Sequence, residues 1–139
     1  MYKSMAEKQD IAMNQFPVVT DLSYVYGEKS NNQNKITVEY LARQIGLYHM
    51  AKVFSPGEEL RLPFTSGLMI VQNRSSYHEK SVATLFTNKN GVIIIPGKGV
   101  NFFSEVEDAI CIFSTENSAN YIIKNTGKSN QNIEFTFIR

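Results

Sequence analysis

Residues 37–53 read TVEYLARQIGLYHMAKV, and the spacing of their apolar side chains changes at Gly46. Before Gly46 the apolar positions follow the i, i+3, i+4, i+7 spacing of one helix face: Val38, Leu41, Ala42 and Ile45. After Gly46 they follow the two-residue period of a β-strand. The stretch therefore predicts a helix over residues 38–45, a stop at Gly46, and a strand over residues 47–53.

Strand-like runs continue from this point to Arg139, separated by polar turns such as Ser55-Pro56-Gly57. The runs that predict strands cover residues 47–53, 59–62, 67–73, 81–87, 91–95, 100–104, 109–115, 120–125 and 132–138. Short strands at even spacing with turn residues between them are typical of a sandwich or barrel. We therefore predict a mainly β fold, an antiparallel β-sandwich of jelly-roll-like type.

The residues before Gly46 have a different character and predict an attachment arm. Ser4 and Glu7 match a capping box for a short helix over residues 5–15, which is either a frayed terminus or an anchor that orders on a partner. Residues 18–26 alternate as a strand that Gly27 ends, and residues 28–35 are a polar loop. The domain prediction is an arm over residues 1–46 and a β head over residues 47–139, with Gly46 as the hinge between them.

Two of the predicted strands are apolar on both faces, namely residues 67–71 and residues 92–95. An antiparallel sandwich normally leaves one face of each sheet in water, so such strands need cover from elsewhere. The arm or a neighbouring copy of the chain would supply that cover. We favour a neighbouring copy.

Charge and hydropathy argue against nucleic acid and membrane as partners. The chain has 14 Lys and Arg against 13 Asp and Glu, with the signs interspersed, which argues against nucleic-acid binding. No window approaches the ~20 apolar residues that span a bilayer, and residues 1–10 carry no signal-peptide core. The expectation is a protein made in the cytoplasm, without membrane insertion. Cys111 is the only cysteine and lies in an apolar run, which predicts a buried, inert thiol.

We find no catalytic or metal-binding constellation. His49 and His78 fit no ligand spacing, so the sequence predicts no metal and no cofactor. An enzyme acting on polysaccharide would need paired carboxylates, and an acidic corner between strands would also suit calcium. The clustered candidates are Glu58, Glu59, Glu105, Glu107 and Asp108. Solvated turns explain them better, and we predict that the chain is not an enzyme.

Binding residues are predicted in two places. The helix stripe of Val38, Leu41, Ala42 and Ile45 offers an apolar surface to a partner. Aromatic residues beside polar loops, at Tyr48, Tyr77 and Tyr121, are candidates for a surface that touches a host glycan.

The order of elements around this helix carries a family resemblance. The segment PVVTDLSYVYG at residues 17–27, a polar loop, and KITVEYLARQIG at residues 35–46 resemble the amino-terminal part of small fibre-type structural proteins of Bacteroidetes phages, crAss-like phages included. The resemblance implies a virion attachment region at the amino terminus and a β head that forms a homotrimer. The chain has no repetitive shaft, unlike long tail fibres.

The function expected from this resemblance is that of a non-enzymatic virion structural protein, made in the host cytoplasm and located in the virion. It would be a short head fibre or an accessory protein that binds the capsid or tail through its arm. The alternative is a receptor- or carbohydrate-binding tip module of a tail fibre.

Overall fold

The structure is a computed structural model that describes residues 23–30, 32–75 and 78–139. The helix predicted over residues 5–15, the first part of the strand predicted over residues 18–26, and Tyr77 lie outside the described residues. The chain divides into two compact units between Val38 and Glu39.

The first unit contains a β-hairpin where we predicted a strand and a polar loop. Strand β1 (Tyr24–Lys29) pairs antiparallel with β2 (Asn32–Thr37), and Lys29 lies opposite Asn32. Ser30 has a φ of 54°, as tight turns require. The predicted stop at Gly27 and the predicted loop over residues 28–35 are therefore wrong. The residues of β2 are mostly polar, so periodicity did not reveal this strand.

The predicted helix is confirmed as α1 (Val38–Gln44), one residue shorter than expected. The Ile45 amide still donates to the Leu41 carbonyl at 3.2 Å, so Ile45 lies in the closing turn. Gly46 then adopts a φ of 98°, the left-handed conformation that ends many helices.

The unit boundary lies before most of the helix, whereas we predicted it at Gly46. Gly46 is buried, and its carbonyl accepts a 2.8 Å hydrogen bond from the Arg139 amide. The Arg139 guanidinium also donates to the Gln44 carbonyl at 3.3 Å. These bonds join the end of α1 to the end of the last strand within the second unit, and the hinge at Gly46 stays a prediction.

The second unit contains nine strands in two sheets. They are β3 (Leu47–Phe54), β4 (Glu59–Arg61), β5 (Gly67–Asn73), β6 (Ser81–Leu85), β7 (Gly91–Ile95), β8 (Val100–Phe102), β9 (Ile110–Phe113), β10 (Ile122–Asn125) and β11 (Gln131–Ile138). One sheet has the order β3-β11-β5-β6-β7, and the other has the order β4-β10-β9-β8. All nine predicted strands are present, and β5 and β7 match their predicted bounds.

The two sheets share one core, which confirms the mainly β, sandwich-like prediction. Inward residues of β11 (Ile133, Phe135, Phe137) belong to the same buried cluster as Ile112 of β9 and Ile123 of β10. Such side chains each stabilise a fold by about 1.5–3 kcal/mol when fully buried. Cys111 is fully buried, as predicted.

The pairing of the first strands of this unit with its last strands resembles a jelly roll, whereas the pairing of the strands between them does not. Within this unit β3 pairs with the last strand, β11, and β4 pairs with the penultimate strand, β10. Between them β5, β6 and β7 form a meander in one sheet. The chain then crosses to β8, which pairs with β9 in parallel, whereas every other pair is antiparallel.

Candidate interaction surface

Two of the aromatic residues predicted to touch a ligand belong to the core. Tyr48 is 7% exposed and Tyr121 is 0% exposed. The Tyr121 hydroxyl donates to the carbonyl oxygen of Phe86 at 2.6 Å, with the Asn90 carbonyl 3.2 Å away. Burial raises the pKa of Tyr121, although the bond to Phe86 acts in the opposite direction. The predicted ligand surface at Tyr48 and Tyr121 is therefore wrong, because both side chains point into the sandwich.

The predicted partner-binding stripe on α1 is only partly open. No residue of α1 is buried: Val38 is exposed, Leu41 and Ala42 are half-buried, and Ile45, just after the helix, is 76% exposed. The stripe thus offers some apolar surface. Its role in partner binding stays a prediction.

Two of the five clustered carboxylates, Glu58 and Glu105, are paired with lysines. Glu58 lies 2.8 Å from Lys52, and the hydrogen bond from Lys52, followed by one from the Ser55 amide, lowers the pKa of Glu58. Lys124 lies 2.5 Å from Glu105, and that bond raises the pKa of Lys124, with a smaller contribution from Glu59. Within residues 23–30, 32–75 and 78–139 no three His, Cys, Asp or Glu side chains converge on a metal site.

The outer face of the five-stranded sheet, the face turned away from the core, carries two cross-strand rows. The first row, defined by the strand registers, is Leu47, Ile138, Leu68, Thr84 and Val92. The second row is His49, Thr136, Ile70, Val82 and Ile95. Neither row contains an acidic residue or a lysine. Seven of these ten residues are apolar, and the polar ones are His49, Thr136 and Thr84. A solvent-facing sheet face is normally polar, so the rows are unusually rich in apolar residues.

The remaining part of the outer face is polar. Glu134 pairs across the sheet with Gln72 on one side and Ala51 on the other, and Arg74 lies 3.4 Å from the Glu134 carboxylate. Val53, on the same face of β3, lies opposite Asn132. The apolar surface therefore covers one part of the face and not all of it.

Both apolar rows end at β7, which is an edge strand of the sheet. Its four apolar residues, Val92, Ile93, Ile94 and Ile95, are between 45% and 54% exposed. Phe86, at the turn of the β6–β7 hairpin, is exposed to a similar extent. Ile93 lies on the core side, opposite the fully buried Ala83, and even so remains half exposed. We call Phe86 and residues 92–95 the β7 surface.

The two strands that are apolar on both faces, β5 and β7, are buried to different extents. In β5, Met69 and Val71 are fully buried, and Leu68 and Ile70 are partly buried. In β7 no residue is buried. The run of four apolar residues pointed to this strand, but its position at an edge depends on the sheet order, which periodicity does not supply.

A polar cleft of about 250 Å³ opens elsewhere in this unit. It is lined by Asn73, Gly99, Asp108, Ala109, Ile110, Asn125, Gly127, Lys128, Ser129 and Gln131. Asn125 is buried and shapes the cleft: its amide donates to the carbonyls of Phe54 and Ser129. Asp108 and Lys128 are exposed and make no hydrogen bond or ion pair with the described residues. Sequence reasoning missed this cleft, because its residues come from strands and loops that are separate in the chain.

Comparisons with protein-family models, with curated proteins and with solved structures find no match to this chain. Among the described residues no helix is long and apolar enough to cross a membrane.

Proposed function

We propose that this chain is a non-enzymatic structural protein of a virion, a short head fibre or an accessory protein, whose β head associates with further copies of itself. The observation that carries the proposal is the β7 surface, which leaves four adjacent branched side chains about half exposed. A scattered apolar residue on a surface is ordinary, but a contiguous group of this kind marks an interaction site.

The resemblance in residues 17–46 supports the virion setting and the mode of attachment. In this proposal the amino-terminal arm, with the stripe of Val38, Leu41, Ala42 and Ile45, contacts the capsid or tail. The head faces outward and joins its neighbours. Attachment through several linked copies becomes firm even when each contact is modest, so no single strong site is required. Three copies is the number that the resemblance implies.

The pairing of two carboxylates, Glu58 and Glu105, with lysines supports a non-enzymatic role. A glycosidase needs two carboxyl groups that flank the scissile bond, one of them protonated and one ionised. Glu58 and Glu105 each have a lysine partner, and the ion pair with Lys52 favours the ionised form of Glu58. Such a carboxylate is poorly suited to donate a proton as a general acid.

Sedimentation of the purified chain, with a matched pair of variants, tests the proposal. Val92 and Val53 both lie on edge strands, both face outward and are 54% and 52% exposed, but only Val92 belongs to the β7 surface. We expect Val92→Lys to weaken assembly at least about tenfold, because a buried unpaired ammonium costs several kcal/mol. Val53→Lys should leave assembly unchanged.

A wild-type chain that stays monomeric at high concentration contradicts the proposal. Equal loss of assembly in Val92→Lys and Val53→Lys also contradicts it, since a general effect of charge would then explain the result. The melting temperatures of both variants establish that each one folds.

A second candidate function, favoured by the polar cleft, is binding of a small polar ligand such as one sugar residue of a host glycan. The cleft volume of about 250 Å³ is below the ~300–1,000 Å³ typical of drug-sized ligands. Asp108 and Lys128 supply an acceptor and a donor without partners among the described residues. This would make the head a receptor- or carbohydrate-binding tip module.

A glycan array tests this second function. We expect Asp108→Ala to abolish any binding that the wild-type chain shows. The control is Glu107→Ala, since Glu107 is a neighbouring exposed acid that does not line the cleft. Equal binding by both variants, or no binding by the wild-type chain, contradicts the function.

A further inference from the structure

The inference concerns how copies of the head join, and it rests on the proposed self-association. The five-stranded and four-stranded sheets have four edge strands, β3, β7, β4 and β8. An edge strand exposes unpaired backbone groups, and proteins usually block such edges with charged residues, short strands, proline or bulges.

Each of the three edge strands other than β7 carries at least one protective feature. Strand β3 carries Lys52, which is paired with Glu58, and β4 has Glu59 and Arg61 in only three residues. Strand β8 is also only three residues long and contains Asn101. Each of these features disfavours pairing with another strand.

Strand β7 lacks most of this protection. Its sequence, GVIII, contains no charge and no proline. Its one irregularity is a register shift opposite Val82 and Ala83, which leaves Ile94 between two paired residues. A second copy of the same strand brings no charge either, so two β7 edges meet without repulsion. A partner of opposite charge would find nothing to recognise there.

The backbone groups that face the open edge follow from the hairpin geometry. The Phe86 amide donates to the Asn90 carbonyl at 2.8 Å, so Phe86 and Asn90 form a hydrogen-bonded pair. Because such pairs alternate along an antiparallel ladder, Val92 opposite Thr84 is the next bonded pair. The N–H and C=O groups of Ile93 therefore point away from β6, toward the open edge.

We propose that β7 pairs antiparallel with β7 of a second copy across a twofold axis at Ile93, so that two five-stranded sheets become one continuous sheet. Ile93 exchanges both of its backbone hydrogen bonds with Ile93 of the second copy. Each copy contributes the same strand to such a contact, with Val92 of one copy opposite Ile94 of the other, as in any closed twofold contact.

The size of the contact predicts that assembly depends on concentration. Five large side chains about half exposed leave on the order of 400 Å² of apolar surface. Stable interfaces bury ~800 Å² per partner, so pairing of β7 alone gives a modest affinity. Dilution should therefore separate the copies.

Hydrogen exchange followed over a dilution series tests the pairing. We expect the Ile93 amide to be protected at high concentration and to exchange at least about tenfold faster after dilution. The Val92 amide is the internal control, because its bond to Thr84 lies within one chain and keeps it protected at every concentration. Ile93 exchange that is fast and independent of concentration in an assembled sample overturns the inference.

A pair of variants gives a second test. Ile93→Pro removes the outward N–H, a loss that an edge strand tolerates, and it also replaces the side chain and fixes φ. Ile93→Ala shortens the side chain and keeps the N–H. We expect Ile93→Pro to weaken assembly at least about tenfold more than Ile93→Ala, with both variants folded. Assembly that is equally sensitive to both changes contradicts main-chain pairing.

The mass of the assembly separates the inference from the proposed function. A twofold contact gives an even number of copies, whereas the resemblance implies three. A trimer leaves the proposed function standing and overturns the β7–β7 pairing. A monomer overturns both.

Discussion

Replacement of Tyr121 by phenylalanine removes only the hydroxyl oxygen of a fully buried side chain. The hydroxyl oxygen donates to the carbonyl of Phe86, which lies at the turn of the β6–β7 hairpin. Tyr121 is in the loop before β10, so this bond ties the β7 surface to the opposite sheet. Phenylalanine keeps the ring and its contact with Phe137, whose ring centroid is 6.4 Å away.

The expected cost is that of one buried hydrogen bond. The Phe86 carbonyl loses its partner, whereas the Asn90 carbonyl keeps its bond to the Phe86 amide. The free energy of unfolding should fall by about 1.5 kcal/mol. Because the second unit is about 100 residues long, its unfolding entropy is about 0.2 kcal/mol/K, and the melting temperature should fall by about 7 °C.

Thermal unfolding of Tyr121→Phe beside Tyr48→Phe provides the assay. Tyr48 is also buried, but among the described residues its hydroxyl has only the Met50 sulfur as a partner, at 4.0 Å, so its loss should cost less than about 0.5 kcal/mol. Equal shifts for the two variants, or no shift for Tyr121→Phe, would refute the reasoning.

The pH dependence gives a second readout for the same variant. The pKa of Tyr121 is raised in the folded state from its ordinary value of 10.0. A raised pKa contributes stability that is present below pH 10 and lost as the pH rises toward the folded value. The wild-type chain therefore loses this contribution in alkali and the phenylalanine variant does not. The gap between their unfolding free energies should narrow above pH 10.

The remaining predictions concern Glu58 and Gly91. The pKa of Glu58 is lowered from 4.5 by Lys52, so its contribution to stability is present above pH 4.5 and lost as the pH falls through the lower folded value. Glu58→Gln should therefore reduce the melting temperature at pH 7 and not at low pH; an equal reduction at both would contradict the assignment. Gly91→Ala would place a Cβ only 2.0 Å from the Thr84 carbonyl, and we expect about 3 kcal/mol of destabilisation in chemical denaturation. Its control is Gly57→Ala, where no atom lies within 4 Å and only the φ of 81° opposes a side chain, at about 1 kcal/mol; similar losses would contradict this account.

The two-residue period of apolar side chains predicted most strands of the head, because alternate residues of those strands are buried in the core. Strand β11 alternates between buried Ile133, Phe135 and Phe137 and the residues between them, and that alternation is visible in the sequence. Strand β2 was missed because its sequence, NQNKIT, is mostly polar and shows no apolar alternation.

The candidate site was harder to predict than the fold. The apolar run of β7 indicated a surface in need of cover, but whether that surface lies at an edge depends on the order of five strands. Tyr121 looked like an exposed ligand residue because it follows a polar loop, yet its hydroxyl has a carbonyl partner inside the protein. The sequence contains no local signal for a partner that is 35 residues away.

The pairing of β3 with β11 affects when the head can fold during synthesis. Strand β11 lies between β3 and β5, so neither ladder exists until residues 131–138 have left the ribosome. Before that point the inward faces of β3 and β5 lack their neighbour, and the nascent chain carries exposed apolar strands. Folding should therefore follow synthesis of the whole unit and be slow for its size, because contacts between distant residues dominate it. A chaperone that binds apolar strands would find its targets exposed from the emergence of β3 until the arrival of β11.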